Sequence, residues 1–318
     1  MSDAARTVTP RSPAARAAYL AYRSGGAVAQ ALPPRAARRM ASTVSRAMWA
    51  AMADRRHLVE RHMRRAVGTE LSRARMRRLV RGVFASYAHY WVEAFRLPRE
   101  TPESIAAGLT FEGLEHLRDA YDAGGGVILA APHLGGWDFG GAWLAQAGFR
   151  PVAVAEVLEP PELFEWFVEW RRRLGVEIVA ADVDAGPALV RALKDGCTVG
   201  LVSDRDILGS GVEVEFFGEV TTLPAGPATL ALRTGAPLLP CAIYYGGPSG
   251  HFAAFRPPLD ATRTGRFRDD VRRLTQALAH ELEDLIRRHP EQWHLMQPNW
   301  PSDPGWDDRG AARPGAGA

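Results

Sequence analysis

The chain has 318 residues, 47% of them hydrophobic and 24% charged, with a formal net charge of only +3. That composition suits one large globular domain with an appendage, and two cysteines exclude a disulfide framework for a chain of this size. There is no run of eighteen apolar residues and no apolar segment near the N-terminus, so the sequence predicts neither a spanning helix nor a signal peptide, and a cytoplasmic setting that keeps Cys197 and Cys241 reduced.

The charge is unevenly placed. All but one of the 39 basic residues are arginine, and residues 1–100 hold about twenty arginines against six acids, while the remainder is net acidic. Such an arm suits anionic lipid headgroups, nucleic acid or a solvated helical face, and charge alone does not choose. Residues 1–12 are small and polar and are predicted to be disordered. From Ala14 to Ala31, Tyr19, Leu20, Tyr22 and Val28 flank arginines around a Gly25-Gly26 break, which reads as an interfacial helix or as one packed on the core. Helical patterns continue to Phe95, with Ser72, Arg73, Arg77, Arg78 and Arg81 along the last. Residues 1–100 are thus predicted to form a basic helical region with a membrane-association role.

Beyond Pro98 strands and helices alternate. Phe111–Ala123 reads as helix, Val127–Ala131 as strand, Trp137–Ala147 as helix, Val152–Val157 as strand, Pro161–Leu174 as helix and Val176–Ala181 as strand. Pro187–Lys194 and Thr198–Ser203 repeat the pair. Repeated βα units predict an α/β fold with a largely parallel central sheet flanked by helices on both faces, spanning residues 101–303. Val212–Phe217, Leu238–Tyr245 and Phe252–Phe255 are further strands, a helix opens at Pro224-Ala-Gly-Pro227, and Phe267–His289 is a long amphipathic helix stopped by Pro290. Residues 304–318 are predicted to be a disordered tail.

Ligands of open parallel sheets bind beyond the carboxyl ends of the strands. The stretch Gly126–Asp138, GVILAAPHLGGWD, ends a strand on His133 before a glycine-rich turn and a helix. Asp138 follows by five residues, so a carboxylate in the first helical turn is expected to fold back on the imidazole and make a general base, with amides of Gly135, Gly136 and Trp137 as oxyanion donors. The spacing alone is common by chance; its place between strand and helix raises it. Ser203-Asp204-Arg205-Asp206 ends a second strand and is expected to face the same crevice, holding a polar substrate. Glu156 ends a third, and Arg171, Arg172 and Arg173 lie in the last turn of the next helix, where the macrodipole favours them even without a ligand. A phosphate-binding lysine loop, a nucleophilic serine elbow, a dinucleotide fingerprint and zinc-ligand spacing are all missing, which leaves base-assisted transfer without a bound metal or covalent intermediate, and no cofactor is expected.

PHLGGWDFGGAWL, SDRDILGSGVEVEFFGE with the LPAGPATLALRTGAPLLP that follows, EQWHLMQPNWPSD and the upstream RHMRRAVG together resemble the bacterial lipid A-type late acyltransferases. Within that group, in the lysophospholipid acyltransferase-like superfamily, the likeness is strongest to the phosphatidylinositol mannoside acyltransferases of actinobacteria and covers about residues 15 to 303. The resemblance implies transfer of a fatty acyl chain, such as palmitoyl, from acyl-CoA as co-substrate to a mannose hydroxyl of a membrane glycolipid. It maps a His-x-x-x-x-Asp motif onto His133 and Asp138, with His133 the base that lets the hydroxyl attack the thioester directly. It makes Asp204 a carboxylate near His133 and assigns substrate holding to Arg205, Asp206, Glu156 and Arg171. Asp-Arg-Asp, where glycerol phosphate acyltransferases carry Glu-Gly-Thr-Arg, argues against a glycerol phosphate acceptor. The expected partners are acyl-CoA, an anionic mannosylated phosphoinositide and the cytoplasmic face of the membrane, held peripherally by the arginine arm, with no nucleic acid. The competing readings are another glycolipid or lysophospholipid acceptor and a non-catalytic lipid-binding protein.

Overall fold

A computed structural model describes residues 13–182, 184–207, 209–246 and 250–307. The expectations of disorder at residues 1–12 and from residue 308 onward lie outside the described residues. Four helices come first: α1 (Pro13–Ala31), α2 (Pro34–Ala51), α3 (Ala53–Val67) and α4 (Arg73–Arg96). The break expected at Gly25-Gly26 is absent, and α1 runs through it. Two glycines cost a helix about 1 kcal/mol each, but Tyr22 of α1 meets Trp91, Phe95 and Phe167 edge-on at 5.4–6.4 Å, and that packing sustains the helix.

After α5 (Pro102–Ala107) the chain alternates through β1 (Leu109–Glu112), α6 (Leu114–Asp122), β2 (Val127–Ala131), α7 (Trp137–Gln146), β3 (Pro151–Ala155), α8 (Pro161–Arg173), β4 (Glu177–Ala180), α9 (Ala185–Lys194) and β5 (Thr198–Val202). A hairpin of β6 (Val212–Phe216) and β7 (Glu219–Leu223) stands apart, and α10 (Gly226–Thr234), β8 (Leu238–Tyr245), β9 (His251–Phe255) and α11 (Phe267–Arg288) complete the order. Phe111, read from the sequence as the start of a helix, lies in β1. Gly113 separates the two elements with φ of 70°, and a Cβ there would come within 2.1 Å of the Phe255 carbonyl oxygen, so only glycine makes this turn.

The sheet has seven strands in the order β1, β9, β8, β2, β5, β3, β4. Five neighbours, β8 to β4, are parallel; β9 runs against β8, and β1 follows β9. The α/β fold with a largely parallel sheet is therefore as the sequence predicts. Successive residues of a strand face opposite ways, and in β2 Ile128 joins one core cluster with Phe84, Leu193, Leu230 and Leu278, while Leu129 joins the other with Phe95, Phe139, Leu163 and Phe167. Helices thus cover both faces. The apolar stripe of α11 (Val271, Leu274, Leu278, Leu282, Leu285, Ile286) is buried, each side chain contributing about 1.5–3 kcal/mol.

Candidate active site

β2 and β5 are hydrogen-bonded neighbours in the register Ala131↔Val202, so the residues just beyond them emerge side by side. The Ser203 amide donates to the Ala131 carbonyl at 2.8 Å and continues the pairing. His133 and Asp204 meet there: His133 Nδ1 lies 2.6 Å from Asp204 Oδ1, and the His133 amide donates to Oδ2 at 3.1 Å. Asp204 is fully buried. Burial would raise its carboxyl pKa, but the His133 ring, the Trp293 indole N–H at 2.7 Å and the His133 amide outweigh it and hold the carboxyl below its ordinary range. A charged Asp204 assigns the proton to Nδ1 of His133 and leaves Nε2 as the basic nitrogen. Nε2 has no hydrogen-bond partner among the described residues, and the side chain is 25% exposed.

Asp138 does not fold back on His133. At the start of α7 it accepts the Tyr90 hydroxyl at 2.6 Å and Arg171 Nε at 2.9 Å, with a second Arg171 nitrogen at 3.4 Å. Burial would lower the Arg171 pKa, but the Asp138 carboxylate overrides it and raises it; burial and the same carboxylate push the Tyr90 hydroxyl well above its usual value, so it stays a donor. Asp138 reaches His133 only through rings: Tyr90 stacks on Trp137 at 4.0 Å, and Trp137 meets His133 edge-on at 5.8 Å. Five residues of spacing set the distance along the chain, while the turn of α7 aims this carboxylate at α4 and α8.

Two oxyanion candidates are also corrected. The Gly135 amide donates to the Gln292 carbonyl and the Gly136 amide to the Ile243 carbonyl, both at 3.0 Å. Of the three amides in that turn, Trp137 alone has no such bond among the described residues. Asp206, expected to hold substrate, accepts the amides of Gly209 and Gly211 at 2.9 and 2.8 Å and so fixes the turn after β5. Arg205 and Glu156 stand differently. Like Asp206, both line the cavity beside His133, but neither side chain has a hydrogen bond or ion pair among the described residues. Burial lowers the Arg205 pKa, opposed first by the Glu156 carboxylate.

That cavity is about 820 Å³, inside the range of about 300–1,000 Å³ typical of small-ligand sites. His133, Asp138, Arg171 and Arg205 lie along it, and its walls are largely apolar, with Leu129, Leu144, Val176 and Ile178 from one core cluster and Leu189 and Leu230 from the other.

Several residues at the site carry no role in the sequence reading. Trp293 holds Asp204, and Asn299 Nδ2 donates to the Asp204 carbonyl at 3.0 Å. The His294 amide donates to the His133 carbonyl at 2.7 Å, and its ring, lowered to a pKa of about 3 by burial and then by the His133 charge, pairs with Ser86 at 2.8 Å. All three come from EQWHLMQPNWPSD, whose polar groups amid tryptophans are the signal that could have found them. Tyr90, which donates to Asp138, is the fourth.

A histidine oriented by a buried carboxylate at the carboxyl end of a parallel sheet, its Nε2 unpaired among the described residues and beside a largely apolar cavity, is an arrangement that can act as a general base in an α/β enzyme. Comparison with known proteins gives the family. The model of the bacterial lipid A biosynthesis acyltransferases matches residues 11–302, and the chain belongs to that family. It is 42% identical over 228 residues, 71% of this chain and 73% of the relative, to the phosphatidylinositol mannoside acyltransferase of Mycolicibacterium smegmatis. It is 41% identical over 223 residues, 69% of each chain, to the protein of the same name from Mycobacterium tuberculosis.

Proposed function

We propose that this protein transfers a fatty acyl group, palmitoyl or one near it in length, from acyl-CoA to a mannose hydroxyl of a phosphatidylinositol mannoside. The observation that carries the chemistry is the His133–Asp204 pair with Nε2 turned to the cavity. Nε2 takes the proton of the mannose hydroxyl as its oxygen attacks the thioester carbonyl; the tetrahedral adduct collapses, the C–S bond breaks and the imidazolium returns the proton to the departing thiolate. The products are an ester and free CoA. Asp204 stabilises the imidazolium, as buried carboxylates do in hydrolytic triads. The Trp137 amide is the donor left for the oxyanion, and the apolar walls take the acyl chain. Arg205, half-buried and with no hydrogen bond or ion pair among the described residues, suits an anionic part of either substrate. The names and identities of the relatives support the acceptor.

Attachment to the membrane is peripheral in this reading, on the cytoplasmic face where acyl-CoA is made. No helix among the described residues is long and apolar enough to cross a membrane. Leu20 and Val28 of α1 are 53% and 49% exposed, in a region rich in arginine, each worth on the order of 1 kcal/mol beside an anionic leaflet. The test is to incubate the purified protein with palmitoyl-CoA and phosphatidylinositol mannosides and follow free CoA. Release that depends on the acceptor is expected. Release that is the same without it overturns the reading, and faster turnover of a lysophospholipid or another glycolipid moves the acceptor.

A further inference from the structure

A second cavity, of about 450 Å³, opens between α2, α3 and α4 and shares no lining residue with the first. Trp49, Arg56, Glu60, Arg64, Arg73 and Arg77 line it. Four guanidinium groups face one carboxylate, and Glu60 is already paired with Arg64 at 2.6 Å. Arg56 is fixed in place: it lies over the Trp49 ring at 5.4 Å and donates to the Trp49 carbonyl, while Arg81 lies over the same ring at 5.1 Å. Arg73 and Arg77 are one turn apart on one face of α4, and among the described residues neither side chain has a hydrogen bond or ion pair.

The start of α4 sharpens the point. The N-terminal end of a helix carries the positive end of its dipole and favours acids. Here the first turn holds no acid, and Arg73 is its first residue. Two like charges four residues apart on a helix face repel each other. Ser72 caps only the Arg75 amide, at 3.4 Å. A concave site in which the Arg73 and Arg77 guanidinium groups have no hydrogen bond or ion pair among the described residues is complementary to a tetrahedral dianion or monoanion, which arginine grips with paired N–H groups.

We propose that this cavity binds a phosphate ester, supplied either by a lipid headgroup at the membrane surface or by a soluble phosphate. Binding is read without turnover, so the proposal stands or fails apart from the acyl-transfer reading. The full chain is titrated calorimetrically with inorganic phosphate and with myo-inositol 1-phosphate, and sedimented with phosphatidylcholine vesicles with and without phosphatidylinositol. The double variant Arg73→Gln with Arg77→Gln is compared with Arg172→Gln with Arg173→Gln, which removes equal charge from the distant α8; circular dichroism checks that both are folded. A soluble phosphate source gives saturable titration that weakens about tenfold or more in the α4 variant and not in the α8 variant. A headgroup source gives the same contrast in the phosphatidylinositol vesicles alone. Equal losses in both variants, or wild-type protein that neither titrates nor prefers the anionic vesicles, overturn the proposal.

Discussion

The Trp293 indole N–H donates at 2.7 Å to the Asp204 carboxylate that holds His133, although the two residues are 89 positions apart. The last part of the described chain therefore orients the carboxylate, and the carboxylate orients the His133 ring. Trp293→Phe keeps an aromatic ring and deletes the donor. A hydrogen bond to a charged group is worth about 1.5–3 kcal/mol, so kcat is expected to fall about tenfold to a hundredfold with little change in KM. Steady-state kinetics checks this, and an unchanged kcat in the folded variant would exclude Trp293 from orienting the base.

Asp204 and Asp138 are expected to separate in mutagenesis. Asp204→Asn removes the charge facing the imidazole and favours the wrong tautomer, and in a serine protease the equivalent change lowers turnover by about 10⁴; here a loss of at least about 10³ is expected. Asp138→Asn leaves His133 with its partner but strands the Arg171 charge, which costs on the order of 3 kcal/mol of stability. Urea midpoints and turnover measured on both variants test the contrast. If Asp138→Asn matched Asp204→Asn in lost turnover while keeping wild-type stability, the geometric division between them would be wrong.

Asp303 sets an acid limit on stability. It pairs with His62 at 3.1 Å and Arg65 at 2.9 Å and accepts the Asn299 and Trp300 amides. Burial would raise its carboxyl pKa, but His62 first, then the Asn299 amide and Arg65, hold it well below the unfolded value of about 3.9. A pKa depressed by folding stabilises above the unfolded value, and that stability is lost as pH falls through the folded one. Asp303→Asn is thus expected to be clearly less stable than wild type at about pH 6, with the gap closing as both are taken below about pH 3. Urea unfolding across that range measures it; a gap that widens on acidification contradicts the assignment.

Gly135 is expected to tolerate no side chain. Its φ is 60°, and a Cβ would sit 1.9 Å from the Ile243 carbonyl oxygen. Gly135→Ala combines about 1 kcal/mol or more of backbone strain with displacement of the turn that carries His133. Loss of both melting temperature and turnover should follow, and wild-type values for both would show that the turn has room.

The two strand ends were legible in the sequence for a physical reason. VILAA and TVGLV are unbroken apolar runs, as strands covered on both faces must be, and a polar residue ending such a run has to face the crevice. Which carboxylate meets His133 was legible only in part. The five-residue spacing pointed to Asp138, yet side-chain direction at a helix start follows from the packing of α7 against Tyr90 and Arg171, which no local pattern encodes. Gly135 and Gly136 were read as donors because turn glycines expose amides, but long-range carbonyls from Gln292 and Ile243 take them. The strand at Phe111 was hidden by its length of four residues at the sheet edge.

Residues Gln292 to Asp303 bind the His133 turn, the Asp204 carboxylate and the third helix at once. During synthesis the strand end at Asp204 leaves the ribosome 89 residues before Trp293, and the one at His133 earlier still. A nascent or nicked chain lacking Gln292 to Asp303 would hold a sheet and an unaligned histidine. Catalytic competence should therefore appear abruptly, at the release of a chain that includes residue 303, rather than grow as the sheet assembles.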